Sequence, residues 1–256
     1  MSLSLATRAR VFWRCLFIQA AWNRRGMQNL GFAYAIDPAL RRIYPEPAAR
    51  EEALQRHLGV FNCHPFMAAA ILGGAIHHEE RVAAGEEPGA APAQYKAALQ
   101  GPLAALGDGF FWTALRPFVG AAAVVGALTV GWLPVVLALL LYNGIALALR
   151  WHLFQAGYRL GDGVVGAIAR LSLPRQADRL RFAATALCGV AAGLLLLMAW
   201  RTGQPGHGSA ASVAAGVGVS WLALARGVPL LPLAYAAMAV AVVAAAALGG
   251  HLLGGT

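Results

Sequence analysis

Charge is what this chain has least of: across its 256 residues, 12% are charged and 59% hydrophobic. A soluble domain carries about a quarter of its residues as charges, so too little charge is present to clothe a soluble globule of this size. Lysine is almost missing, Lys96 being the only one, and the net charge of +9 is therefore carried by arginine. A basic chain this apolar is not read as a nucleic-acid binder. Its arginines suit a cytoplasmic face and lipid headgroups. The 3 cysteines, Cys15, Cys63 and Cys188, stand far apart in apolar settings, which speaks against a disulfide framework or a zinc cluster. Arg8, Arg10 and Arg14 near the N-terminus are not followed by a long apolar stretch ending at a small-residue cleavage site, so no removable leader is expected.

Motifs of group transfer and metal chemistry are also missing. Gly107-Asp108-Gly109 and Gly161-Asp162-Gly163 lack the continuation of a phosphate-cradling GxGxxG loop. No Ser-His-Asp or Cys-His arrangement can be defended. His77 and His78 are adjacent, so they face different sides of a helix, and no HExxH spacing exists. Neither a metal nor a cofactor is expected.

Long apolar segments are what the chain does have. Phe118 to Leu149 is interrupted at Gly131-Trp132-Leu133-Pro134 and reads as one broken span or two shorter ones. Arg150 to Arg181 holds six arginines against Asp162 and Asp178, the balance of a cytoplasmic or interfacial segment. Ala183 to Trp200 has the make-up of a transmembrane helix, Gly203 to Ser209 is a polar turn, and Ala210–Ala225 and Val228–Leu253 are further apolar segments. Residues 7–26 mix Phe12, Cys15, Leu16 and Trp22 with Arg8, Arg14, Gln19 and Arg24 at helical spacing, as an amphipathic helix at a membrane surface does. Residues 46–60 read as a charged helix, with Glu51 and Glu52 four residues before Gln55 and Arg56. Gly85 to Pro92 is the clearest loop.

Two short apolar segments are interrupted by polar residues. Phe61-Asn62-Cys63-His64-Pro65-Phe66 leads into an apolar run that ends at Ile76 and is closed by His77-His78-Glu79-Glu80. Pro65 is placed to open a helix, where its missing N–H costs nothing. A run of about eleven residues reaches only about halfway through a hydrocarbon core of ~30 Å. Residues 102–115 repeat the pattern around Asp108, which has glycine on both sides. Short interrupted segments of this kind are expected to be re-entrant half-helices lining a transport site. The expected fold is an all-α polytopic membrane protein, with N-terminal amphipathic and interfacial helices, re-entrant half-helix hairpins and several transmembrane helices. Its expected divisions are 1–60, 61–182 and 183–256.

Several blocks, taken together and in order, resemble one known family. They are Trp22 to Pro45, Asn62-Cys63-His64-Pro65, Gly101-Pro102-Leu103-Ala104-Ala105-Leu106-Gly107-Asp108, Trp112, Leu115-Arg116-Pro117, and Gly157-Tyr158-Arg159-Leu160-Gly161 after Asn143 and Arg150. The chain is similar, over most of its first 200 residues, to the enzyme IID component of the mannose/fructose/sorbose-type sugar phosphotransferase system. That resemblance implies a multi-pass subunit of the bacterial inner membrane with a cytoplasmic N-terminus. It implies a IIC membrane partner, together with which a hexose is moved inward while phosphorylated IIB, supplied by IIA, donates phosphate to it. The family's phosphohistidines lie on IIA and IIB, so no histidine here is expected to carry phosphate, and the chain is part of an enzyme complex without being a phosphocarrier.

Asn62, His64, Glu79, Glu80, Asp108, Trp112 and Arg116 are the residues expected at the sugar cavity. Amides and carboxylates pair with vicinal hydroxyls, and an aromatic face packs on the ring. The structural alternative is a buried Asp108–Arg116 pair with Asn62 capping a helix. The chain departs from the family pattern at Cys63, usually threonine, at Asp37, usually aliphatic, at His77 and His78 in a usually apolar stretch, and at Gly109, commonly serine. Those departures leave room for a second function class, a non-transporting membrane sensor or regulator on the same fold.

Overall fold

The computed structural model describes residues 3–201 and Arg226, and every regular element among them is helical. Residues 1–191 form one compact unit and 192–256 another. The apolar segments 210–225 and 228–253 and the turn 203–209 lie outside the described residues.

The first unit is built around α4, Ala68–Ala83. Residues 68–76 are buried without a break, as a helix that is apolar all round must be. Small residues let its neighbours come close. A Cβ on Gly73 would run into the carbonyl of Phe154, and one on Gly157 into the carbonyl of Ala70. The two glycines thus mark the crossing of α4 with α7, Leu133–Leu160.

Helix α1, Leu5–Cys15, is shorter than the amphipathic stretch 7–26. Ser4 caps it, its hydroxyl accepting the Thr7 N–H at 3.2 Å. It ends where the Arg150 guanidinium donates to the Cys15 carbonyl at 2.9 Å, a cation at the negative end of the helix. Val11 and Cys15 turn inward while Leu5 and Trp13 stay exposed, so the amphipathic character is real. α2, Asn29–Ile43, lies against α1. Asp37 accepts from Arg14 of α1 at 3.1 Å and from Arg41 at 3.0 Å, which gives that departure from the family pattern a structural task. α3, Pro47–His57, opens on proline at its first position.

Between α3 and α4 the chain is extended, and the buried Gln28 side chain takes the place of a pairing strand. Its amide donates to the Cys63 carbonyl at 2.8 Å and its oxygen accepts the Cys63 N–H at 3.0 Å. Pro65 sits in the turn before α4 and not at its first position, and the Ala68 N–H donates back to the His64 carbonyl at 2.9 Å. Asn62 caps no helix: Met67 is the cap of α4, and the Asn62 N–H donates to Gln100 Oε1 at 3.0 Å.

Segment 102–115 is not a separate half-helix. α5, Ala91–Gly107, a π-helical stretch, Asp108–Leu115, and α6, Arg116–Val130, run on as one helix of 40 residues. Neither Pro102 nor Pro117, which falls where the π-helical stretch passes into α6, breaks it. Gly131, at φ 104, then ends α6, and Gly126 packs on Pro134 across the reversal. The apolar stretch 118–149 is therefore two helices joined by a tight turn. After Gly161 (φ 51), a 3₁₀ turn leads into α8, Val164–Arg170, and Ser172 (φ 49) precedes α9, Leu173–Arg201, which contains the expected span 183–200. Two helical runs, Ala91–Val130 and Leu133–Leu195, are long and apolar enough to cross a membrane. The α6–α7 hairpin exposes Val130, Trp132, Leu137, Leu140 and Leu141, an apolar surface larger than water-facing helices carry.

Candidate functional site

The structure brings together three of the residues picked out by sequence, at the junction of α4 with the π-helical stretch. His64 packs between aromatic rings. It stacks on Phe111, centroids 4.9 Å apart and planes 11° from parallel, and meets Trp112 and Phe66 edge-on at 4.9 and 5.2 Å. A wide π turn is what lets two successive residues, Phe111 and Trp112, reach the same imidazole. Gly107 makes room, since a Cβ there would strike the His64 side chain. Asp108 follows directly.

The chemistry of this corner is that of a neutral imidazole. The Phe66 N–H donates to His64 Nδ1 at 3.2 Å, which leaves the ring proton on Nε2. That nitrogen is buried and has no hydrogen-bond partner among the described residues. Burial, helped by the nearby Arg150 charge, pushes the His64 pKa down to about 4. Cys63 next to it is held as a thiol: burial pushes it up to about 12, and the charge of Asp108 adds to the rise. Arg150 spans the site from behind, its guanidinium 5.2 Å from the Phe66 ring centre. Trp112 is half open to the surroundings at 48% exposure. The arrangement offers an unpaired N–H donor, a carboxyl group and an indole face, but no nucleophile.

Arg116 is exposed, and no ion pair joins it to Asp108 among the described residues. Seven helical residues separate the two, on the order of 10 Å of rise, so the buried pair considered as a structural alternative does not form. Arg181 of α9 clamps the π-helical stretch instead, donating to the Gly109 carbonyl at 3.0 Å and to Thr113 Oγ1 at 3.2 Å.

Glu79 and Glu80 lie at the far end of α4, about 16 Å of helix away. Glu79 is fully buried and is the centre of a second polar cluster. It accepts from Tyr44 Oη and His57 Nε2, each at 2.8 Å, with Arg56 at 3.6 Å. Burial lowers the His57 pKa against the pull of Glu79, so this contact is a hydrogen bond from a neutral imidazole more than an ion pair. Lys96 donates to the His57 carbonyl at 2.9 Å and lies over the rings of Phe32 and Phe61. Glu80 accepts from Tyr158 Oη at 3.0 Å and lines an open cleft of about 780 Å³ with Leu3, Arg42 and Ile43. His77 bonds the Tyr158 carbonyl at 3.0 Å, and His78 bonds Glu87 at 2.7 Å. Tyr44, His57, Lys96, Phe111 and Arg150 are not among the residues expected at the cavity from sequence. A lone lysine inside an apolar stretch was the one visible signal.

Comparison with known proteins agrees with this architecture. Residues 2–197 match the family model described as PTS system mannose/fructose/sorbose family IID component. The mannose-specific EIID component of Escherichia coli K12 is 41% identical over 157 residues, 60% of this chain and 56% of the relative. The fructose permease IID component of Bacillus subtilis is 34% identical over 163 residues, 62% of this chain and 58% of that one. The chain thus spans a little over half the length of the curated relatives it matches. Among solved structures, a complex of the mannose transporter ManYZ with microcin E492 holds a chain that superposes with a TM-score of 0.59 at 34% identity, covering 75% of this chain and 70% of that one. Another, described as a membrane protein, reaches a TM-score of 0.66 at 35% identity over 75% and 71%. By its helical membrane fold and by this match over most of its length, the chain belongs to the mannose/fructose/sorbose family of phosphotransferase-system IID components.

Proposed function

We propose that the chain is one membrane subunit of a sugar permease and that it pairs with a IIC subunit to pass a hexose across the bacterial inner membrane. Phosphorylated IIB, recharged by IIA, is the phosphate donor at the cytoplasmic side. The chain itself supplies cavity wall and docking surface. The observation that carries this reading is the His64 corner, where a buried, neutral imidazole keeps an unpaired Nε2 close to the half-open Trp112. An orphaned buried donor is costly unless something binds it, and a sugar hydroxyl against an indole face fits both groups. Asn62 and Arg116 are proposed to act around that contact from exposed positions, while Glu79 and Glu80, about 16 Å away along α4, are proposed to lie outside it.

The α6–α7 hairpin supports a multi-pass arrangement with the residues before Ala91 and the segment 161–181 on one side. That side is proposed to be the cytoplasm, because arginine collects there. The test is reconstitution of the chain with a IIC subunit in proteoliposomes containing phosphorylated IIB. Appearance of hexose phosphate inside, dependent on both membrane subunits, is the expected result. A complex that assembles and leaves the sugar outside would overturn the reading in favour of a sensor.

A further inference from the structure

The corner between α8 and α9 gathers three arginines around one cleft, and no acid answers them. Arg170 closes α8, and Arg175 and Arg179 stand one turn apart on α9. With Leu171, Ser172 and Leu180 they border an open cleft of about 510 Å³. Among the described residues none of the three enters an ion pair, and the adjacent Asp178 is already held by Arg181 at 2.7 Å. Three guanidinium groups facing one space repel one another, and an anion accepting hydrogen bonds from them relieves that repulsion.

The same face of α9 continues as apolar surface. Arg175, Arg179, Phe182, Ala186 and Val190 follow at steps of three and four residues, which places them on one side of a helix. Phe182 is 80% exposed and Val190 50%. A free inorganic anion accounts for the charged end of this stripe alone. An acidic soluble partner leaves Phe182 and Val190 facing water. An amphiphile with an anionic head accounts for both, and the site lies on a helical run long and apolar enough to cross a bilayer.

We propose that Arg170, Arg175 and Arg179 bind the headgroup phosphate of an anionic phospholipid, whose acyl chain lies along the Phe182–Val190 face of α9. Basic pockets beside membrane helices hold such headgroups by charge-assisted hydrogen bonds. The bound lipid fixes the depth at which α9 enters the bilayer and pins the α8–α9 corner to the headgroup layer.

The test uses the full chain in detergent, offered phosphatidylglycerol and phosphatidylcholine in equal amounts, with retained lipid counted by native mass spectrometry. Phosphatidylglycerol is expected to be retained at least about tenfold better, with the preference falling as salt rises. The triple variant Arg170→Gln, Arg175→Gln, Arg179→Gln is expected to lose the preference, while Arg24→Gln with Arg25→Gln keeps it. Equal retention of the two lipids by the unaltered protein would overturn the proposal, and that comparison needs no variant to fold. So would full displacement of phosphatidylglycerol by excess inorganic phosphate, which would mark a simple anion site, or an unchanged preference in the triple Gln variant.

Discussion

His64 and Phe111 lie face to face, their ring centres 4.9 Å apart, although 46 residues separate them in the chain. The contact joins the turn before α4 to the π-helical stretch after α5, and it leaves His64 Nε2 unpaired in the interior. A charge on that ring would have no acid to answer it and would face Arg150, so the site depends on the imidazole staying neutral.

Stability should therefore fall in mildly acidic solution. The folded pKa of about 4 lies below the ordinary value of 6.5, so the unfolded chain binds more protons between the two. The contribution is complete above about pH 6.5 and is lost as pH falls towards 4, on the order of 3 kcal/mol in all. His57, also held low by burial, acts in the same direction. Melting of the detergent-solubilised protein at a series of pH values should show a slope that His64→Phe reduces. Identical slopes in the two proteins would show that His64 is not held neutral.

The α4–α7 crossing predicts a steric sensitivity. Gly73→Ala and Gly157→Ala each place a methyl group against backbone of the other helix, where side-chain rotation offers no escape. Overpacking of this kind costs about 1–3 kcal/mol, and melting temperatures should drop in both variants. Gly101→Ala, whose Cβ would meet nothing nearby, is the control. An unchanged melting temperature for Gly157→Ala would contradict the crossing.

The Glu79 cluster predicts a different response from the two simplest substitutions. Glu79→Ala leaves Tyr44 and His57 without their acceptor and Arg56 without its nearby charge, a loss of about 1–3 kcal/mol for each buried donor left unpaired. Glu79→Gln keeps an acceptor oxygen and should cost less. Thermal unfolding of the two variants side by side checks the order. Equal and small effects would show that Glu79 is not the hub of the cluster.

Topology gives a third kind of test. Ser4 and Gln176 are both exposed, and both are proposed to face the cytoplasm. Single cysteines there, in a background with the exposed Cys188 replaced by serine, should resist a membrane-impermeant thiol reagent in intact cells. Labelling of either from outside would reverse the orientation.

The class of fold was legible from composition together with the long apolar segments: few charges pointed to a membrane, and runs such as 118–149 and 183–200 pointed to helices. The polar break before α4 could also be read locally, and His64 and Trp112, both picked out from sequence, do meet in the fold. What could not be read was depth along a helix. Glu79 follows His64 by 15 residues, close in sequence, yet α4 carries the two to opposite ends. The π-helical stretch was hidden as well, because nothing in Asp108 to Leu115 announces a change of helical pitch. Without it, Trp112 could not be placed on His64 beside Phe111, and residues 102–115 read as a half-helix instead of the middle of a longer one. The Tyr44–Glu79–His57 contacts depend on three separate helical elements or their ends meeting, which no spacing rule supplies.

The most direct test of the permease reading measures two things on one variant, Asp108→Asn, expressed with IIC, IIB and IIA in cells lacking their own mannose-family permease. Hexose uptake reports the cavity, and co-purification of IIC reports assembly. The substitution keeps the shape of the side chain and one acceptor while removing its charge. The account predicts that uptake is lost while IIC still co-purifies in normal amount. Normal uptake by the variant would remove Asp108 from the cavity, and loss of IIC together with uptake would make Asp108 a structural group instead of a sugar contact.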